Sequence, residues 1–112
     1  MLVAYTNAID LIRALRPVVE QLKQRSSNLA DQIERAATSI AHNVSEGSRR
    51  SGKDCRRFYP MANSSAAEVR AALDVADAWG WAVASDAART ILDRQLGLLW
   101  GLTHDRVRAP MR

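Results

Sequence analysis

Residues 47–54 read GSRRSGKD, which differs from a phosphate-binding loop at a single position. That loop runs G-x-x-x-x-G-K and then Ser or Thr. Its backbone amides cradle phosphate, its Lys reaches the outer phosphates, and its hydroxyl holds magnesium. Here Gly47, Gly52 and Lys53 fall in register, and Asp54 stands where the hydroxyl belongs. A carboxylate there repels the phosphates beside it. The motif also follows a β-strand, whereas the residues before Gly47 carry a helical pattern. No later strand supplies a second metal-binding carboxylate. The nucleotide reading fails and a turn remains. Gly47 suits the left-handed cap of one helix, and Ser51 with Asp54 forms a loose capping box for the next. A turn does not account for Arg49, Arg50, Lys53, Arg56 and Arg57.

The other reactive side chains are scattered. Glu46 and Glu68 lie too far apart along a helical rod to share acid–base work. His42 and His104 lack partners at metal-ligand spacing. Cys55 sits among bases that favour its thiolate, but nothing beside it completes a nucleophilic site. Trp79, Trp81 and Trp100 can stack on bases, yet Trp79 and Trp81 belong to the end away from the arginines, so packing is the better expectation. The sequence thus points to no enzyme, no cofactor and no metal.

The elements that position these residues are helical. β-branched residues are sparse, and apolar residues recur at steps of three and four. The first helix is expected from about Ala4 to Gln24, with Leu11, Leu15, Val18 and Leu22 inward and a bend at Pro17. Ser26 to Asn28 offer a cap for a second helix carrying Leu29, Ile33, Ala36, Ala37, Ile40 and Val44. The third helix, from Ser51–Lys53 to Trp79, shows Phe58, Ala62, Ser65, Ala66, Val69, Leu73 and Ala76, with a bend at Pro60. Gly80 ends it, and Trp81 folds back over the cap. The fourth, from Ser85 or Asp86 to Thr103, shows Ala88, Ile91, Leu92, Gln95, Leu98, Leu99 and Leu102. The fold expected is all-α, an antiparallel up-down-up-down four-helix bundle over residues 1–104, with 105–112 as a loose basic tail.

Composition agrees with one globular unit. The chain has 112 residues, 47% hydrophobic and 25% charged, enough for one modest core. No apolar run approaches the roughly 18 residues of a membrane span. A single cysteine excludes an internal disulfide, and the N-terminus lacks a cleavable-leader pattern, so a cytoplasmic location is expected. Net charge is +4, and it is unevenly placed. Residues 45–60 carry five bases against Glu46 and Asp54, and residues 103–112 carry Arg106, Arg108 and Arg112 against Asp105. Up-down topology places both groups at one end, which favours a polyanion there. A polar stripe of Arg35, Ser39, Asn43 and Glu46 faces Ser65 and Glu68 across the second and third helices. Ion pairs Arg35–Glu68 and Glu46 with Arg56 or Arg57 are expected to fix their register.

The run QIERAATSIAHNVSEGSRRSGKDCRRFYPMANSSAAEV resembles the small "four helix bundle protein" family. That family includes proteins encoded in intervening sequences of bacterial large-subunit ribosomal RNA genes and the accessory protein of diversity-generating retroelements. Its pattern is Q-x-x-R-A-A-x-S-[IV]-x-x-N-[IVL]-x-E-G-x-x-R, then an aromatic-containing helix with S-x-x-E. The matching residues are Gln32, Arg35, Ala36, Ala37, Ser39, Ile40, Asn43, Val44, Glu46, Gly47, Arg50, Phe58, Ser65 and Glu68. Pro60 departs from the pattern. The resemblance implies a ring-shaped homo-oligomer, typically a pentamer, without enzymatic activity. Its retroelement members bind nucleic acid and a reverse transcriptase through a basic surface. The expectation is a non-enzymatic bundle that binds RNA or DNA phosphates through Arg49, Arg50, Lys53, Arg56, Arg57, Arg106 and Arg108, as an accessory factor of a reverse transcriptase. The alternative is a protein-interaction scaffold with no nucleic-acid role.

Overall fold

The computed structural model describes residues 2–50, 53–81 and 83–108, the side chains of 53–55 and 105–108 excepted. Four helices account for nearly all of them: α1 Val3–Lys23, α2 Ser27–Arg49, α3 Lys53–Ala78 and α4 Asp86–Arg108. No strand occurs among the described residues, and no helix there is long and apolar enough to cross a membrane. The helices pack in a closed circuit. α2 lies against α1 and most extensively against α3, while α4 bridges α3 and α1. The resulting rod measures 51 × 20 × 18 Å.

The core follows the periodic stripes. Leu11, Leu15, Val18 and Leu22 of α1 are buried, as are Leu29, Ile33, Ala36, Ala37, Ile40 and Val44 of α2. α3 contributes Ala62, Ala66, Val69, Leu73 and Ala76, and α4 contributes Ala88, Leu92 and Leu99. Burying these apolar faces is the main driving force for the fold. Alanines on both α2 and α3 keep their backbones close. The expected stripe errs at one aromatic. Tyr59 is buried and Phe58 only partly so. Pro17 and Pro60 both sit at exposed positions inside their helices, where each ring faces solvent.

Helix ends show where local chemistry decides. Ser26 caps α2, its hydroxyl accepting from the Leu29 amide at 3.1 Å. Gly80 ends α3 in the left-handed region with φ 78°. The Trp81 amide reaches the Ala76 carbonyl at 3.0 Å and the Gly80 amide reaches that of Asp77 at 2.9 Å. This is the paired closure that a left-handed glycine permits. Gly47 does not play that part: it lies within α2, which continues to Arg49. α4 likewise passes its expected end at Thr103 and reaches Arg108. Ser51 and Gly52, expected to open α3, lie outside the described residues.

Candidate nucleic-acid interface

The C-terminal turn of α2 gathers charge on itself. Glu46 lies one turn before Arg49 and Arg50, the spacing at which side chains on a helix meet. Both guanidiniums bond its carboxylate, that of Arg50 at 3.2 Å. The Arg50 hydrogen bond first, and then the charge of Arg49, hold the Glu46 carboxyl below its ordinary value. The expected pairing of Glu46 with Arg56 or Arg57 is therefore replaced by one within its own helix, which needs no tertiary register. Arg56 and Arg57 are exposed on the first turns of α3 and form no ion pair among the described residues. Phe58 joins the two helices. The guanidinium carbon of Arg50 stands 5.6 Å from its ring centroid and that of Arg57 5.1 Å. At such distances the ring face attracts the cation. The structure therefore brings Arg49, Arg50 and Arg57 together around Glu46 and Phe58. The side chains of Lys53, Arg106 and Arg108 lie outside the described residues.

The polar stripe behind this cluster divides. Ser39, Asn43 and Ser65 meet: the Ser65 hydroxyl donates to that of Ser39 at 2.9 Å. The Asn43 amide donates to the Ser39 carbonyl at 2.9 Å and its hydroxyl at 3.0 Å. Arg35 and Glu68 do not meet; both are exposed, and no ion pair joins them. Register is not the reason: Ser65 sits opposite Ser39, about one turn from the expected level, which sets Arg35 and Glu68 at nearly the same height, yet both side chains stay exposed. About two turns further along the seam, Gly47 faces the Tyr59 ring. A Cβ on Gly47 would lie 2.6 Å from Tyr59 Cε1, so this glycine is required by close approach and not by its backbone angles.

Comparison with known families decides what these features belong to. The model of the 23S rRNA-intervening sequence protein family matches residues 1–94. The chain belongs to that family. Comparison with curated proteins gave no match. In this intervening-sequence protein the match takes in α1, α2, α3 and the first turns of α4, including the cluster from Glu46 to Phe58. Gln95, Trp100, Arg106 and Arg108 lie beyond it.

Sequence reasoning missed several contacts. The Asn7 amide donates to Gln95 Oε1 at 2.6 Å and to the Ile91 carbonyl at 3.1 Å, and Gln95 Nε2 donates to the Ala4 carbonyl at 3.0 Å. Gln95 is 0% exposed and Asn7 4%. The one signal was a glutamine standing in the apolar stripe of α4. Arg89 bonds Asp74 at 3.0 Å and Asp77 at 2.8 Å, tying α4 to α3. Near the end of α4, His104 stacks on Trp100 with ring centroids 3.8 Å apart and planes 16° from parallel. Among the described residues no group of three His, Cys, Asp or Glu side chains can hold a metal ion.

Proposed function

We propose that this intervening-sequence protein is a non-enzymatic, cytoplasmic bundle that grips the phosphates of RNA or DNA through one basic end. Its helices run up-down-up-down, and copies assemble into a homopentameric ring. It serves as an accessory factor to a reverse transcriptase. Support for the topology comes from paired contacts. Ser39 meets Ser65 where Gly47 meets Tyr59, and Asp93 approaches Arg70 where Arg89 bonds Asp74. In each pair the residue number rises along one helix as it falls along the other. That order supports an α2–α3 junction beside the C-terminal turns of α4.

The observation that carries the reading is the arginine cluster. Arg49, Arg50, Arg56 and Arg57 are exposed, and Glu46 is the acid that the first two share. Arginine offers a planar fork matched to phosphate oxygens. Five copies in a ring carry about 25 positive charges at that end, so many weak phosphate contacts act together. Such binding is largely blind to sequence.

Charge reversal tests it. Arg49→Glu, Arg50→Glu and Arg57→Glu together are expected to lower retention of a structured RNA on a filter by at least about 100-fold at low salt. Retention equal to the parent would overturn the reading and leave a protein-interaction scaffold. Light scattering tests the ring: a mass near the single-chain 12.4 kDa would exclude it.

A further inference from the structure

We propose that the basic end takes an unpaired nucleotide strand, whose bases stack on Trp100 and on the guanidiniums carried by Phe58. This rests on the nucleic-acid reading above and narrows it. A site for phosphates alone needs cations and no aromatic ring. This end carries flat groups in two places. Arg50 and Arg57 are not swinging freely, because both guanidiniums stand over the Phe58 ring, at 5.6 and 5.1 Å. Arginine planes, like aromatic rings, stack on splayed bases. On α4, Trp100 is 60% exposed. The His104 ring covers part of it at 3.8 Å, and His104 Nδ1 bonds the Trp100 carbonyl at 2.8 Å. The indole is thereby held before any ligand arrives, so stacking costs little side-chain entropy.

The two places share one end. Asp93 stands level with Arg70, so α4 beyond Asp93 runs alongside the part of α3 that precedes Arg70. Trp100 and His104 lie two to three turns past Asp93, on the side toward Phe58. Bases within a duplex already stack on one another and show a protein mainly phosphates and groove edges. Bases of an unpaired strand have free faces, and aromatic platforms between cations are how such strands are held without sequence preference. Trp79 supplies an internal control. It is 67% exposed and stacked on Trp81 at 6.0 Å, but it sits at the α3–α4 turn, away from the cluster of Arg49, Arg50 and Arg57.

The test uses the full chain at low salt with three probes of about twelve nucleotides: a single strand, an abasic strand with the same phosphates, and a duplex. The parent is expected to bind the base-bearing strand roughly 5- to 100-fold more tightly than the abasic one. Trp100→Ala should remove most of that preference, and Trp79→Ala should leave it intact. Arg50→Lys keeps the charge but not the plane, so it should weaken the base-bearing strand more than the abasic one. Equal affinity for the base-bearing and abasic strands would overturn the proposal while phosphate binding stands. So would a Trp100→Ala variant that loses oligomer mass and weakens both strands alike, which would make Trp100 a subunit contact. Failure of all three probes to bind would overturn both readings.

Discussion

Two seams hold the bundle by different means. Between α2 and α3 the polar contact is small and lies at the margin of the core. The Ser39 and Ser65 hydroxyls meet at 2.9 Å, and the fit of Gly47 beneath Tyr59 sets how close the helices come. Between α1 and α4 the contact is larger and sealed. Two carboxamides, Asn7 and Gln95, bond each other and also a backbone carbonyl on the opposite helix. A marginal hydroxyl that loses its partner can turn to water, whereas a buried amide cannot. The α2–α3 seam is thus governed by shape and the α1–α4 seam by obligatory hydrogen bonds. Both bear on the proposed interface, because the first sets Arg50 against Phe58 and the second fixes the register that carries Trp100.

The largest effect is expected at the sealed seam. Gln95→Ala leaves a cavity and strands an Asn7 N–H, a cost of about 3 kcal/mol in denaturant unfolding. Replacing both partners, Asn7→Leu with Gln95→Leu, should recover most of that loss, since no buried polar group is then left alone. If the double variant is as unstable as Gln95→Ala, the amide pair is not what distinguishes this seam. Gly47→Ala comes next. The new Cβ must displace the Tyr59 ring, costing roughly 1–3 kcal/mol, partly offset by about 1 kcal/mol of helix preference for alanine. Tyr59→Leu should relieve the clash, and a double-mutant cycle reads the coupling. Additive losses would mean that the α2–α3 seam is not set by this approach. Ser65→Ala should cost about 1 kcal/mol, and the same change at Ser39 should not add fully to it.

The smallest effect is the pH dependence of Glu46. Its carboxyl is depressed by Arg50 and then Arg49. Its contribution is therefore fully present above the unfolded carboxylate range and lost as pH falls through the lower folded value. Glu46→Gln should flatten that acid limb in thermal unfolding followed from neutral pH downward. An unchanged limb would show that the exposed pair adds nothing to stability.

The fold was largely legible because its signal is periodic. Stripes such as Leu29, Ile33, Ile40 and Val44 are local patterns that any helix with one buried face must show. What was not legible depended on neighbours distant in sequence. Gly47 fits a helix-ending rule, yet its requirement comes from Tyr59, twelve residues on and across the seam. Phe58 reads as a core residue by spacing, but its ring serves two arginines. The expected Arg35–Glu68 pair does not form although the seam holds the two residues at nearly one level; both side chains remain exposed. Asn7 and Gln95 are 88 residues apart, and a polar residue in a stripe shows only that something must satisfy it, not what. The arginine run itself was visible from the start; that Glu46 binds Arg49 and Arg50 of it, and not Arg56 or Arg57, and that Phe58 carries two of its guanidiniums, was not.

The most direct test of the central claim is the salt dependence of RNA binding at the arginine end. The logarithm of the binding constant should fall linearly with the logarithm of salt concentration, as counterions return to the phosphates. Changing Arg49, Arg50 and Arg57 to Gln should flatten that line by about two units of slope per engaged chain, near 0.7 for each contact to a single strand. A steep line for the parent and a flatter one for the variant is the result the account predicts. Binding that ignores salt, or a slope unchanged by the three substitutions, would contradict it.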